Sequence, residues 1–361
     1  MQMLFLQSAI DKLNPSNGRA AIIEDGSPLF SGQTASGESQ IRRWFLENDY
    51  IEAIIALPTD LFYNTPLATY IWILSMNKRK ERKGKIQLID AKTFCHKIKP
   101  LGDKRNEIGP DERKAITDLY LNFEENEYCK IFPNTEFIYR EYAVMQPKQR
   151  SYAITDESID QLIVSNSLNS LYSAAKIAEI DAKESPSDKE LKQVEDLKNN
   201  EPRYNQIIET LRAATSNKVY KSPTDFSPAL VAALDGVVSI NDSLFPKIMD
   251  GLSKMDKTAE IHRDKKGNII YDTDSKDSEF VRFDEPIDVY MRREVLPHIP
   301  DAKAFFEEKL TGKNPIVRTG AEIPFTRYFY KYQKPADSAD LLNQFKELEK
   351  SVAEHITKIF E

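Results

Sequence analysis

Cysteine is scarce in this 361-residue chain: Cys95 and Cys129 are the only two, which supports neither a disulfide framework nor a metal-ligand spacing. That usage fits a reducing compartment, so the expected location is cytoplasmic. The four histidines, His96, His262, His298 and His355, are scattered without ligand spacing, and no metal is expected. No apolar run reaches membrane-spanning length; the opening MQMLFLQSAIDKLNP is apolar too briefly, has no basic leader and turns polar. No nucleophile and base stand in a recognisable pair, so no catalytic residue is assigned. Helix-turn-helix and finger spacings are missing as well. Positive charge is not in excess: 57 acidic residues against 50 basic ones leave a net charge of −7 and a pI near 5.4. This excludes a wholly basic nucleic-acid binder but leaves room for a basic face.

The length and a hydrophobic content of 40% allow two or three domains, each with its own core. Leu4, Leu6, Ala9, Ile10 and Leu13 fall largely on one helical face, and Asn14-Pro15-Ser16-Asn17-Gly18 ends that helix. Arg19 to Ile23 reads as a strand, Glu24 to Gln40 as a loop, Ile41 to Asn48 as a helix and Tyr50 to Pro58 as a second strand. Such alternation predicts an α/β fold with a partly parallel sheet. The apolar runs Ala68 to Met76 and Lys85 to Ala91 are close enough to pair as a hairpin, giving the sheet an antiparallel end. A doubly wound domain that opens on a helix implies that something upstream is missing. A helix is expected near Asp111 to Glu125 and a strand-like stretch over Glu136 to Val144.

From about Asp156 to Lys257 the pattern is helical, broken at Glu184 to Asp188 and at Lys221-Ser222-Pro223. Lys265-Lys266-Gly267-Asn268 has the composition of a hairpin turn. Leu341, Phe345, Leu348, Val352, His355, Ile356 and Ile359 recur at spacings of three and four within Ala336 to Phe360, which predicts a terminal amphipathic helix of about seven turns. Its apolar stripe needs another helix, from this chain or from a partner. The expected division is residues 1–152, an α-rich region at 153–260, and a terminal region at 261–361.

The blocks FLQSAIDKLNPSNGRAAII, SQIRRWFLENDYIEAIIALPTDLFYNTPLATYIWIL and GKIQLIDA, and far downstream REVLPHIPDA and GAEIPFTRYFYKY, resemble in order and separation the DNA-methylation subunits of type I restriction-modification systems. These are adenine-N6 DNA methyltransferases. The sequence departs from the family pattern at Glu24-Asp25-Gly26-Ser27, where a Pro-Asn-Gly type of turn is common, and at Asn64 and Leu67, where small residues are common. The resemblance implies that residues 1–152 are the C-terminal part of a Rossmann-like class I methyltransferase sheet, mixed with an antiparallel edge, followed by an α-rich C-terminal region. It also implies a methyl donor, S-adenosylmethionine, held in the complete subunit by a Gly-rich loop, and an Asn-Pro-Pro-Phe/Tyr motif that positions the adenine amino group. Neither motif occurs in this sequence. Aligning donor and acceptor needs those groups, so the chain by itself is expected to bind no cofactor and to methylate nothing.

The resemblance also implies as partners DNA, a sequence-reading specificity subunit and a second methylation subunit. The alternative is a non-catalytic interaction protein that binds the specificity subunit. Within Asp60 to Pro66, the residues Phe62, Tyr63, Asn64, Thr65 and Pro66 follow a strand and are candidates for the wall of a flipped-adenine pocket, since aromatic faces restore lost stacking. Packing beneath the loop is the other reading of Phe62 and Tyr63. Arg42, Arg43, Lys78, Arg79 and Lys80 are candidates for the DNA backbone; a solvated hairpin loop, and salt bridges to Glu38 or Glu47, are the alternatives. Glu24 and Asp25 read as a solvated turn. Pro324 to Tyr332 is aromatic and basic, suited either to stacking on bases or to packing an extended segment.

Overall fold

The structure is a computed structural model that describes residues 2–332, 335 and 337–360, without the side chains of 357–360. Helix α1 (Gln2–Lys12) buries Met3, Leu6 and Ile10, while Leu4, expected on that stripe, is 55% exposed. Steps of three and four residues from Met3, not from Leu4, mark the inward face. After the Asn-Pro-Ser-Asn-Gly break comes β1 (Arg19–Glu24). The segment expected to be a loop holds α2 (Ser27–Phe30) and the first turn of α3 (Gly37–Glu47), where the Ser36 side chain accepts the Ser39 amide as N-cap.

Strand β2 (Ile51–Ala56) is buried at every residue, as a strand covered on both faces must be. Strand β3 (Tyr70–Ser75) and β4 (Lys85–Asp90) do not pair with each other. Instead β3 lies antiparallel between β1 and β2, with Trp72 opposite both Ile22 and Ile54, and β4 runs parallel to β2 on its other side. The cause lies in the linking segment. Lys78 is buried on the Asp49 carboxylate at 2.5 Å and Arg82 is buried beside Glu52 at 3.6 Å. These two pairs carry the chain past the amino end of β2 before β4 begins.

Two short polar strands, β5 (His96–Leu101) and β6 (Lys104–Glu107), form a hairpin of their own. Helix α4 (Pro110–Asn122) follows, and β7 (Cys129–Pro133) closes the sheet antiparallel to β4, giving the order β1-β3-β2-β4-β7. The main core of this unit gathers Leu6, Phe45, Ile54, Trp72, Leu88 and Phe137. Among the described residues, the chain divides into a unit of residues 1–141, 280–285 and 307–361 and a unit of residues 142–279 and 286–306, the boundary falling inside β8 (Ile138–Met145).

The second unit is mainly helical, with β9 (Arg150–Tyr152) entering α5 (Asp156–Val164), α6 (Ala174–Asp181), α7 (Asp188–Ala213), α8 (Pro223–Ala233) and α9 (Phe245–Gly251). Both sequence breaks are helix starts. Ser187 and Glu190 make a capping box at α7, and Ser222 caps α8 with Pro223 in its first turn. Ile159, Leu162, Ile207, Leu211, Phe226 and Ile248 centre the core. Strand β10 (Ser253–Met255) pairs with β9, and Gly267 takes φ +83° in the expected turn. The remaining elements are β11 (Asp277–Arg282), beside β8, α10 (Ile287–Tyr290) and β12 (Lys303–Phe305), antiparallel to the end of β8.

Back in the first unit, β13 (Thr319–Ala321) pairs with the start of β8, and α11 (Phe325–Phe329) leads towards α12 (Ser338–Phe360). Of the expected terminal stripe, Leu341, Phe345, Leu348, Val352 and Ile356 are all more than half exposed; Ala336 and the side chain of Ile359 lie outside the described residues.

A buried ion pair ties the helical unit together. Arg150 donates from Nε to Asp272 Oδ2 and from Nη2 to Asp272 Oδ1, each at 2.9 Å, and reaches Asp274 as well. Burial alone would raise the Asp272 carboxyl, but hydrogen bonds and charge from Arg150 outweigh it and hold the group below the usual aspartate range. A depressed folded value means that the stabilisation is complete above pH ~4 and is lost as pH falls through that value. Asp272→Asn is expected to cost about 2–3 kcal/mol at pH 7, because it leaves the buried Arg150 with only the exposed Asp274 carboxylate as charge partner. The gap to the unaltered protein should narrow in acid. Urea unfolding followed from pH 7 to pH 3 checks this, and a gap independent of pH would contradict it.

Candidate nucleic-acid interface

Strands β2 and β4 run parallel, so their carboxyl ends lie side by side, and the Ala91 amide reaches the Ala56 carbonyl at 2.9 Å. Open α/β sheets present their ligand-binding loops at this edge. The loop leaving β2, residues 57–69, is closed at its base by the Leu57 amide on the Thr69 carbonyl (2.9 Å) and at its tip by a bridge between Phe62 and Thr65. Leu61 packs inward with Ile55, Leu57 and Ile89. Phe62 and Thr65 are half-buried, whereas Asn64 and Pro66 are exposed and Tyr63 is 60% exposed. The loop therefore offers a ring to solvent at Tyr63 and draws Phe62 partly beneath itself.

The β5–β6 hairpin is fastened to this loop. Asp60, at φ +57°, offers its carbonyl to the Arg105 and Asn106 amides at 2.9 and 3.1 Å. Asn106 Nδ2 donates to the Thr59 carbonyl (2.9 Å), and the Asp103 amide donates to the Tyr63 carbonyl (3.0 Å). Lys104 Nζ stands 5.4 Å from the Tyr63 ring centroid. Gly102 is required at the turn twice over: its φ is +63°, and a Cβ there would meet the Tyr63 carbonyl at 2.6 Å. Nothing in the sequence analysis marked this hairpin. Its one signal is the Gly102-Asp103 turn, because the strands are polar and Pro100 interrupts the first.

The backbone candidates are dispersed. Arg42 is fully buried, donating to the carbonyls of Ser31 (2.8 and 3.2 Å) and Ala321 (3.1 Å), and burial pushes its guanidinium down to about 10. Arg43 pairs with Glu47 at 2.6 Å and lies 3.7 Å from Glu308. Lys78 is enclosed by Asp49 and the Lys85 carbonyl. Arg79 and Lys80 are exposed, but they sit at the amino ends of β2 and β4. The pocket-loop candidates lie at the opposite ends, about 20 Å away along six-residue strands. Glu24, expected in a turn, is the last residue of β1, opposite Tyr70, and Asp25 after it is bonded to Gln2 Nε2 and to the Ser27 amide, both at 2.7 Å.

The aromatic segment near the C-terminus divides between the two readings. Phe325 is buried edge-on against Tyr70, and Tyr328 packs on Phe132 with its hydroxyl donating to Glu136 at 3.1 Å. Tyr330 and Tyr332 are each 73% exposed. Tyr330 borders an open cleft of about 470 Å³ with Asp90, Lys92, Thr93 and Tyr128, at the carboxyl end of β4.

The family model described as N-6 DNA Methylase matches residues 1–158. Residues 1–158 are thus similar to that family. Two relatives come from Methanocaldococcus jannaschii: the type I restriction enzyme MjaVIII methylase subunit, 34% identical over 43% of this chain and 26% of its own length, and the MjaVII methylase subunit, 39% identical over 30% and 18%. The chain thus spans about a quarter or less of these relatives. A solved type I restriction-modification methyltransferase subunit from Streptococcus thermophilus aligns at 28% identity over 37% of this chain and 26% of that chain, with a TM-score of 0.33. The matched segment contains the whole five-stranded sheet, the loop after β2 and the hairpin fastened to it.

Gly102→Val is expected to detach the hairpin, since neither the positive φ nor the close carbonyl tolerates a branched side chain. Hydrogen exchange should quicken at the Asp103, Arg105 and Asn106 amides by roughly tenfold or more, equivalent to about 1.4 kcal/mol of local opening, while β2 and β4 stay protected. Unchanged exchange at those three amides would contradict the placement.

Proposed function

We propose that this chain is part of an adenine-N6 DNA-methylation subunit of a type I restriction-modification enzyme, its first unit being the carboxyl side of a Rossmann-like class I methyltransferase sheet. The match of residues 1–158 to the N-6 DNA methylase family carries the reading. The sheet supports it: β1 and β2 run the same way with β3 antiparallel between them, next to the parallel β2–β4 pair. In this reading Tyr63 offers its ring to the displaced adenine, with Phe62, Asn64, Thr65 and Pro66 shaping the same wall.

S-adenosylmethionine, the methyl donor of such enzymes, does not fit the residues at this edge. The loops after β2 and β4, residues 57–69 and 91–95, contain no glycine to let a backbone approach it, and Asp25 after β1 is already bonded. The donor site is therefore assigned to the remainder of a complete subunit.

Helix α12 supports a protein partner. Leu341, Phe345, Leu348, Val352 and Ile356 form an apolar stripe left exposed among the described residues, and a helix of the specificity subunit is its proposed cover.

Replacement of Tyr63 in the complete subunit, assayed with its specificity subunit for methyl transfer to DNA, tests the pocket assignment. Tyr63→Ala should reduce kcat/KM by about 5- to 150-fold, the worth of one base–aromatic stack of ~1–3 kcal/mol, and Tyr63→Phe should restore most of it. Equal activity of all three proteins would reject the assignment.

A further inference from the structure

We infer that the β5–β6 hairpin is a DNA-backbone grip beside the loop of Tyr63. This rests on the DNA reading above and adds to it a contact surface that neither the family match nor the basic run at residues 78–85 supplies.

Three observations carry it. First, the hairpin is basic within an acidic chain: between His96 and Glu107 stand Lys97, Lys99, Lys104 and Arg105 against Asp103 and Glu107. Second, its charges are not all committed. His96 is held by Glu112 at 3.1 Å, and Lys104 is half-covered, 3.7 Å from Glu107. Lys97, Lys99 and Arg105 are exposed and, among the described residues, form no ion pair. Solvated cations of this kind bind phosphates by releasing the counterions condensed on DNA. Third, the position is fixed. Four hydrogen bonds from Asp103, Arg105 and Asn106 to Thr59, Asp60 and Tyr63 hold the hairpin against the very loop that presents the exposed ring.

The geometry suits a strand of nucleic acid next to a displaced base. Lys97 and Lys99 lie two residues apart on one strand, about 7 Å. A single DNA strand advances about 3.4 Å of helix axis per phosphate, so this pair spans roughly two phosphates. Arg105 stands on the partner strand, immediately after Lys104 above the Tyr63 ring. Phosphate contacts fix orientation without reading sequence. A grip at this place would therefore set where a target nucleotide meets Tyr63 and leave sequence choice to other groups.

The competing basic surface, Arg79 and Lys80, belongs to the amino ends of β2 and β4, so the two can be separated by substitution. The 361-residue chain is titrated with a labelled mixed-sequence DNA duplex by fluorescence anisotropy, with salt varied from about 50 to 200 mM. Lys97→Ala/Lys99→Ala/Arg105→Ala should weaken binding on the order of tenfold and flatten the log Kd against log salt slope by about 2 to 3, near 0.9 for each phosphate lost. All three side chains are exposed, and an unchanged circular-dichroism melt verifies that the variant is folded. Wild-type slope and affinity in this variant would overturn the hairpin assignment while leaving the DNA reading intact, as would an equal or larger loss from Arg79→Ala/Lys80→Ala. Absence of any salt-dependent DNA binding by the unaltered chain would overturn the DNA reading itself. Tighter binding of duplex RNA of the same length, lost in the triple variant, would reassign the grip from DNA to RNA.

Discussion

The parallel pairing of β2 with β4 is the constraint on which the candidate site depends. Parallel strands cannot be joined by a tight turn, so the chain must cross from one to the other, and it does so through β3 and the buried pairs Lys78–Asp49 and Arg82–Glu52. Once β2 and β4 run the same way, their carboxyl ends coincide. Residues 57–69 and 91–95 then emerge together, and the short hairpin after β4 returns over the loop after β2. Change the direction of β4 and the hairpin would fall at the other edge, away from Tyr63.

The same constraint separates structural charge from available charge. A basic run looks uniform in a sequence, yet Lys78 and Arg82 are buried against carboxylates. Arg82 in addition donates to Gln87 at 2.8 Å and lies over the rings of Tyr120 and Phe123. A buried cation is tolerated only with such partners, because the cost of desolvation is large. Lys97, Lys99 and Arg105 of the hairpin have the opposite surroundings: their side chains are exposed and, among the described residues, form no ion pair. Charge that is solvated and unshared can be offered to a ligand.

Much of the fold was legible because local chemistry and tertiary structure agree. The helix-ending Asn-Pro-Ser-Asn-Gly, the continuous apolar run of β2, the caps at Ser187 and Ser222 and the turn at Gly267 each have a local cause. The pairing of β3 was not legible, since adjacency in sequence favours a β3–β4 hairpin and only the burial of Lys78 and Arg82 carries the chain past β2. Likewise, Leu4 and Phe5 fit an apolar stripe as well as Met3 does, and composition could not say which face turns inward. Around the site, Tyr63 was visible as an aromatic after a strand. The hairpin was not, because its attachment uses backbone amides and carbonyls, which every residue possesses.

The central claim is that the carboxyl edge of β2 and β4, not their amino edge, meets DNA. The most direct measurement is photocrosslinking: the chain, carrying a benzophenone amino acid at position 67 in the loop after β2 or at position 80 at the opposite edge, is irradiated with labelled duplex DNA. The account predicts a covalent adduct from position 67 and none from position 80; an adduct formed mainly from position 80 would contradict it.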